Sequence, residues 1–382
     1  MNLLFIHEVN YLTKPIFEMH EFPEYLSKQG HDIGFLHFLE KHGEMSGGEH
    51  KLPWRSKANR LEPGGSITLF TPSNPFSSNI LNRLVAALRG FSLVSRAIRD
   101  ARPDVVVLYA VPTWGWQAVL VCRRLRIPLV YRAIDVSYLI RKSVFKPLIW
   151  LSELAVIRLA DKVLANSAAM LDRCLVRGAI SGSVCPPIIT SENWQISNVS
   201  EARRRIIFVG SLFEFSGVEE FLVEFNRQAS PNDELLIVGG GARLTAVKDL
   251  VGKLGLQHVE TPGWIPFEEL GRLLGESKVA INPMLRSAVS EYALPNKVLQ
   301  YLRMGLPVVS TRLKGLSSYF PTTGECGLHF RDDPESQVRL ALELLDLPEV
   351  KVECPAMGQF DRSSATVRFE SELTRLCRQR KS

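Results

Sequence analysis

Short apolar runs of strand length alternate with helix-length amphipathic segments along this chain, and the alternation runs through twice. In the first half the strand-like runs fall at 2–7, 32–38, 67–70, 105–109, 129–132 and 163–165. Helical spacing falls at 17–26, 79–101, 116–125, 146–159 and 168–176. In the second half the strands are 206–209, 234–238, 279–282 and 308–310, with helices at 218–228, 243–254 and 295–304. Strands that alternate with helices form parallel sheets covered on both faces. The expected fold is therefore α/β with two Rossmann-like, doubly wound parallel-sheet domains facing across a cleft. The N-terminal domain is expected over 1–190, a linker over 191–204, the C-terminal domain over 205–360, and a last helix near the interdomain interface over 361–382. Residues 39–66 read as a long polar loop.

Composition narrows the class. Of the 382 residues, 46% are apolar and 23% charged, which excludes a disordered or fibrous chain. Six cysteines are too few for a disulfide scaffold, and none forms a Cys-x-x-Cys pair. The start of the chain lacks the basic region of an export signal, so a reducing cytoplasm is the expected compartment. The stretch 105–122 carries no charge, but Pro112 and Gly115 interrupt it, and a strand–turn–helix is expected rather than a membrane span. Six of the eight histidines lie within residues 1–50 at spacings that match no zinc signature, so no metal is expected.

The net charge of +6 is unevenly distributed: residues 51–150 hold 16 basic and 4 acidic side chains. Such an excess points to an acidic partner. No helix-turn-helix, zinc or aromatic-platform signature supports nucleic acid. An anionic membrane surface is the expected partner of the basic region as a whole, with Arg141, Lys142 and Lys146 beside Phe145, Leu148, Ile149 and Trp150. The apolar stripe Ile80, Leu84, Ala87, Phe91, Val94 and Ile98 is itself expected to pack on the sheet.

Two strand ends run into glycine before a helix: Gly210-Ser211, with Ser216-Gly217 opening the next helix, and Gly239-Gly240-Gly241. Glycine admits close approach of a bound group, and a helix N-terminus favours phosphate. Neither a nucleotide-hydrolase phosphate loop nor a dinucleotide Gly-x-Gly-x-x-Gly is present, which counts against an oxidoreductase. Further on, a polar loop carries Arg286 and Glu291, Pro295 pre-sets a helix, and Asn296 and Lys297 open it. His7 and Glu8 sit at the end of the first strand, and Asp135 follows the strand 129–132.

This ordered set resembles the GT-B-fold glycosyltransferases of family 4. The segments are Phe208-Val-Gly-Ser211, Leu236-Ile-Val-Gly-Gly-Gly241, Gly263-Trp264 and the stretch from Val279 to Ser310, with 26–33, 102–107 and 160–167 in matching order. The resemblance implies transfer of a sugar from a nucleotide-diphosphate sugar with retention at the anomeric carbon and no cofactor. The acceptor would be a glycan or lipid-linked molecule, at the cytoplasmic side or the inner face of the plasma membrane. Donor contacts would come from Gly210, Ser211, Ser216, Gly239, Gly240, Arg286, Asn296, Lys297 and Gln300. Glu291 and Asp135 would carry catalytic roles, and His7 and Glu8 would face the acceptor. The chain departs from the family where Ser211 and Ser216 replace an Arg and a Lys, and where Gln300 replaces a Glu. Lys297, together with Arg286, is expected to take over the diphosphate. A catalytically silent GT-B scaffold that binds a glycan or partner, and a GT-B sugar-nucleotide epimerase, remain alternatives.

Overall fold

The computed structural model describes residues 1–14, 16–39, 53–61, 63–74, 76, 78–109, 111–140, 145–189, 204–348 and 352–379. His42, His50, Arg141, Lys142 and the expected linker up to 203 lie outside the described residues. The chain divides into two compact units. Met1–Ile188 joins Arg362–Ser382 in one, and Ile189–Asp361 forms the other.

The first unit runs β1 (Asn2–Ile6), α1 (Glu18–Lys28), β2 (Asp32–Leu36), β3 (Arg55–Ala58), β4 (Ile67–Phe70), α2 (Asn79–Leu88), α3 (Gly90–Ala101), β5 (Val105–Leu108), α4 (Gly115–Leu125), β6 (Leu129–Ala133), α5 (Ser137–Ile140), α6 (Lys146–Leu159), β7 (Lys162–Ala165), α7 (Ala168–Val176) and β8 (Gly182–Val184). The second continues with β9 (Arg205–Val209), α8 (Val218–Gln228), β10 (Glu234–Val238), α9 (Leu244–Leu254), β11 (Val259–Gly263), α10 (Phe267–Gly275), β12 (Val279–Asn282), α11 (Asn296–Arg303), β13 (Val308–Ser310), α12 (Lys314–Ser317), β14 (Leu328–Phe330) and α13 (Pro334–Asp346). The last helix, α14 (Arg362–Gln379), returns to the first unit.

The first sheet has the order β3-β4-β2-β1-β5-β6-β7-β8 and the second β11-β10-β9-β12-β13-β14. Every pairing is parallel except β3 with β4. Strands such as Val105–Leu108 are buried at every position, as helices on both faces require.

Three features depart from expectation. Residues 55–58, inside the expected loop, form the antiparallel edge strand β3; its charged Arg55 and Lys57 blunt the edge and hide the strand pattern. The expected helix 79–101 breaks at Arg89. Helix α4 accounts for the break: Trp114 Nε1 donates to the Ala86 carbonyl (3.1 Å) and Gln117 Nε2 to that of Ala87 (3.2 Å), so carbonyls released by the kink are satisfied from outside. Gly90 lets the chain pass, since a β-carbon there would lie 3.0 Å from the Gln117 amide. Third, Cys326 and Cys354 form a disulfide that no spacing rule announces.

Helix α14 packs on the first core through Phe369, which stacks on Phe22 (4.3 Å between ring centres) and Phe5 (6.3 Å). Each such aromatic removed from water contributes about 1.5–3 kcal/mol. His31 bonds Glu370 at 2.9 Å, and Lys162 pairs with Glu372. No helix among the described residues is long and apolar enough to cross a membrane.

Candidate functional site

The second sheet changes direction of winding between β9 and β12, and ligands of open α/β sheets bind at such switch points. The two strands pair only at Ile206 and Ile207, so beyond Ile207 the facing edge of β9 lacks a partner strand. The Tyr301 hydroxyl of α11 fills the gap. It accepts from the Val209 amide at 2.7 Å and donates to the Val209 carbonyl at 3.3 Å. These two hydrogen bonds fix α11 against the C-terminal end of β9.

One turn earlier on the same helix face stands Lys297. Its ammonium lies 4.0 Å from the centre of the Phe208 ring, and a β-carbon on Gly210 would lie 3.5 Å from its Nζ. No carboxylate among the described residues forms an ion pair with it. Burial pushes the ammonium down to about 7. The aromatic face supplies attraction for the charged form, but a ring is worth about 0.5–2 kcal/mol and does not replace a counter-anion. The half-buried cation thus stands at the strand end without an anion. Asn296 and Lys297 also present main-chain N–H groups at the start of α11, where Pro295 offers no side-chain cap.

Backbone folding around Gly210 makes the cradle. Gly210 N–H donates to the Val238 carbonyl (2.9 Å), Gly239 N–H to Gly263 (2.8 Å) and Leu212 N–H to Gly240 (2.8 Å). Gly239 has φ +134°, and a β-carbon there would fall 1.9 Å from the Gly210 carbonyl oxygen. Substituting Gly239→Ala is expected to cost at least about 2 kcal/mol in denaturant unfolding. By contrast Gly255→Ala, also at positive φ but in open space, should cost about 1 kcal/mol.

The remaining second-unit residues distribute around this point. Ser211 is exposed and Ser216 buried, its amide donating to the Phe213 carbonyl at 2.9 Å. Gly240 lies under the exposed indole of Trp264. Gln300 is half-buried, one turn after Lys297. Glu291 pairs with Lys314 at 2.8 Å, which raises the Lys314 ammonium. Arg286 is exposed and reaches Asp332 at 3.4 Å, a surface pair of little strength.

In the first unit, Glu8 differs from its expected role. It is fully buried, and one carboxylate oxygen accepts from the Thr113 (2.6 Å) and Trp114 (2.9 Å) amides at the start of α4, while Arg83 pairs with the other at 3.2 Å. Its carboxylate caps a helix and is not available to an acceptor. His7 stacks on Tyr109 at 5.3 Å, and Asp135 stands exposed after β6. Among the described residues no three His, Cys, Asp or Glu side chains are grouped to hold a metal ion. The pattern missed Phe208 and Tyr301 as site residues. The signal was present, since Tyr301 follows Lys297 by four, but it reads as an ordinary core position.

Comparison with known proteins gives the family. The model described as "Glycosyl transferases group 1" matches residues 203–347, and the one described as "Glycosyl transferase 4-like domain" matches residues 54–185. No curated protein sequence matches the chain. Among solved structures, sucrose-phosphate synthase from Thermosynechococcus elongatus superposes with a TM-score of 0.69 at 13% identity, covering 98% of both chains. Anabaena HepE, solved in complex with UDP, gives 0.67 at 15% identity over 98% of this chain and 100% of its own. The lipopolysaccharide outer core galactosyltransferase WaaB gives 0.65 at 14% identity, covering 98% and 99%. These likenesses show the fold as GT-B. With both family models matched in order along the two units, the chain belongs to the group 1 glycosyltransferases.

Proposed function

We propose that this glycosyltransferase moves a hexose from a nucleotide-diphosphate sugar, with retention at the anomeric carbon, to a glycan or lipid-linked acceptor in the making of a polysaccharide or glycolipid at the cytoplasmic side. The observation that carries the reading is the uncompensated Lys297 ammonium at the switch point of the second sheet. Breaking the bond to the leaving diphosphate develops negative charge on it. A preorganised cation and free helix N–H groups at that place stabilise the transition state more than the ground state. UDP, found with HepE, is the first nucleotide to test.

In this reading the diphosphate takes Lys297 and the amides of Asn296 and Lys297, with the Gly210 turn admitting its approach. Gln300 offers a neutral hydrogen bond to the ribose. Glu291, held by Lys314, orients the sugar and balances its oxocarbenium character. Asp135 remains a catalytic candidate and His7 a candidate for the acceptor side.

The test is a panel of nucleotide sugars assayed for donor hydrolysis and transfer, with the product anomer read by NMR. Retained configuration with a UDP-sugar is the expected result. Glu291→Gln should lower kcat by about 10²-fold with little change in UDP binding. UDP binding without turnover of any donor would instead favour a silent scaffold, a reading that Ser211 and Ser216 at the usual cation positions motivate. An inverted product would remove the retaining mechanism.

A further inference from the structure

The helix break at Arg89 has a consequence on the surface of the first unit. The stripe expected to pack on the sheet is divided: Val94 and Ile98 of α3 are buried, whereas Ile80 and Leu84 of α2 and Phe91 in the first turn of α3 are exposed. Leu88, the last residue of α2, is 86% exposed. The exposed apolar residues continue across neighbouring helices. Phe91 meets Trp116 of α4 edge-on at 5.1 Å, and Trp114 and Gln117 donate to the Ala86 and Ala87 carbonyls of α2. Helix α6 packs beside α4, where Ser152 Oγ donates to the Val111 carbonyl just before it, and presents Leu148 at 62% and Leu151 at 52% exposure. Scattered single apolar residues are ordinary, but exposed apolar residues gathered on adjoining helices mark an interaction surface.

The charges on the same helices decide the partner. Arg89, Arg96, Arg99, Arg123, Arg124 and Lys146 are all exposed. Only two carboxylates occur on α2, α3, α4 and α6. Asp100 is half-buried and accepts from Trp54 Nε1 at 2.7 Å, and Glu153 is buried with Arg173 at 2.5 Å. The face therefore combines protruding Leu, Phe and Trp side chains with cations and no exposed carboxylate. A second copy would set cations against cations. A nucleic acid would leave the apolar crest unmatched. An anionic bilayer surface satisfies both parts: aliphatic and aromatic side chains enter the headgroup boundary while the cations remain among lipid phosphates.

We propose that the outer face of α2, α3, α4 and α6 docks the first unit on an anionic lipid bilayer, with Leu88, Phe91, Trp116 and Leu148 inserted. The proposal is independent of the donor reading, because lipid binding requires no nucleotide and no turnover.

The experiment is cosedimentation of the full chain with phosphatidylglycerol-containing vesicles and with purely phosphatidylcholine vesicles, in low and moderate salt. Binding to the anionic vesicles only, weakened by salt, is expected. Leu88→Glu/Leu148→Glu should lower partitioning by at least about tenfold, because it removes two apolar anchors and adds two like charges. Both sites are highly exposed, so the melting temperature should not move. Val367→Glu, at 61% exposure on α14, should bind like the parent. Failure to bind anionic vesicles, equal loss in the Val367 variant, or a dimer in solution dissolved by Leu88→Glu/Leu148→Glu without vesicle binding would each overturn the proposal.

Discussion

Replacing Lys297 by Met is expected to raise the melting temperature and to weaken nucleoside diphosphate binding about a hundredfold, near 2.7 kcal/mol. The two effects have one cause. Folding pushes the ammonium from the ordinary lysine range down to about 7 by burial, so its charged form is disfavoured in the folded chain. Between pH 7 and the ordinary lysine value the unfolded chain holds a proton that the folded chain lacks, so this group's contribution to stability improves as pH rises through that window. Below pH 7 the ammonium is charged in both states and its burial cost stands in full. Methionine keeps the contact with Phe208 and removes that cost; each kcal/mol recovered raises Tm by about 2–4 °C in a unit of this size. Binding has the opposite pH sign. An anion needs the ammonium, so affinity for UDP should fall by up to about tenfold per pH unit above 7. In Lys297→Met that slope should vanish. Calorimetric titration at several pH values, beside thermal melts, checks both. A parent whose affinity ignores pH from 7 to 9, with the variant binding equally well, would remove Lys297 from the site.

The largest stability loss is expected from Glu18→Ala. Arg132 on β6 is fully buried, and Glu18 at the start of α1 meets it with two bonds, Nε to Oε1 at 2.8 Å and Nη2 to Oε2 at 2.7 Å. Burial works against the guanidinium charge, and the Glu18 carboxylate more than restores it, holding the group above its ordinary value. Removing the carboxylate leaves a buried cation beside the Cys185 and Leu164 carbonyls and the Phe22 ring, none of them an anion. Such a loss costs about 3–5 kcal/mol. A melting temperature lower by roughly 10 °C should follow. The paired replacement Glu18→Leu/Arg132→Met should recover most of it, because an ion pair exchanged for apolar volume is often neutral. If Glu18→Ala melts with the parent, the pair contributes nothing to folding.

Much of the candidate site was legible in residue order. Pro295 before a helix and glycine at two strand ends are local signals, set by backbone conformation within a few residues, and they located Lys297, Asn296, Gly210 and Gly239. Glu8 could not be assigned that way. A carboxylate after a strand carries no local sign of its partner, and only the distant amides of Thr113 and Trp114 decide it. The same holds for α2: its apolar spacing matches a buried helix, and the outward turn of Leu84 and Leu88 depends on α4 catching the carbonyls at the break.

The sequence by itself determined what short-range physics governs: two sets of parallel strands and helices, the glycine turns, and the basic excess of residues 51–150. The tertiary structure alone decided which side chains meet across long separations: Tyr301 on Val209, Phe369 on Phe22, Arg132 on Glu18, and the joining of Cys326 to Cys354. Periodicity reports which face of an element is apolar. It cannot report which partner, tens or hundreds of residues away, that face or that charge will find, because packing and charge pairing are settled only when the whole core closes.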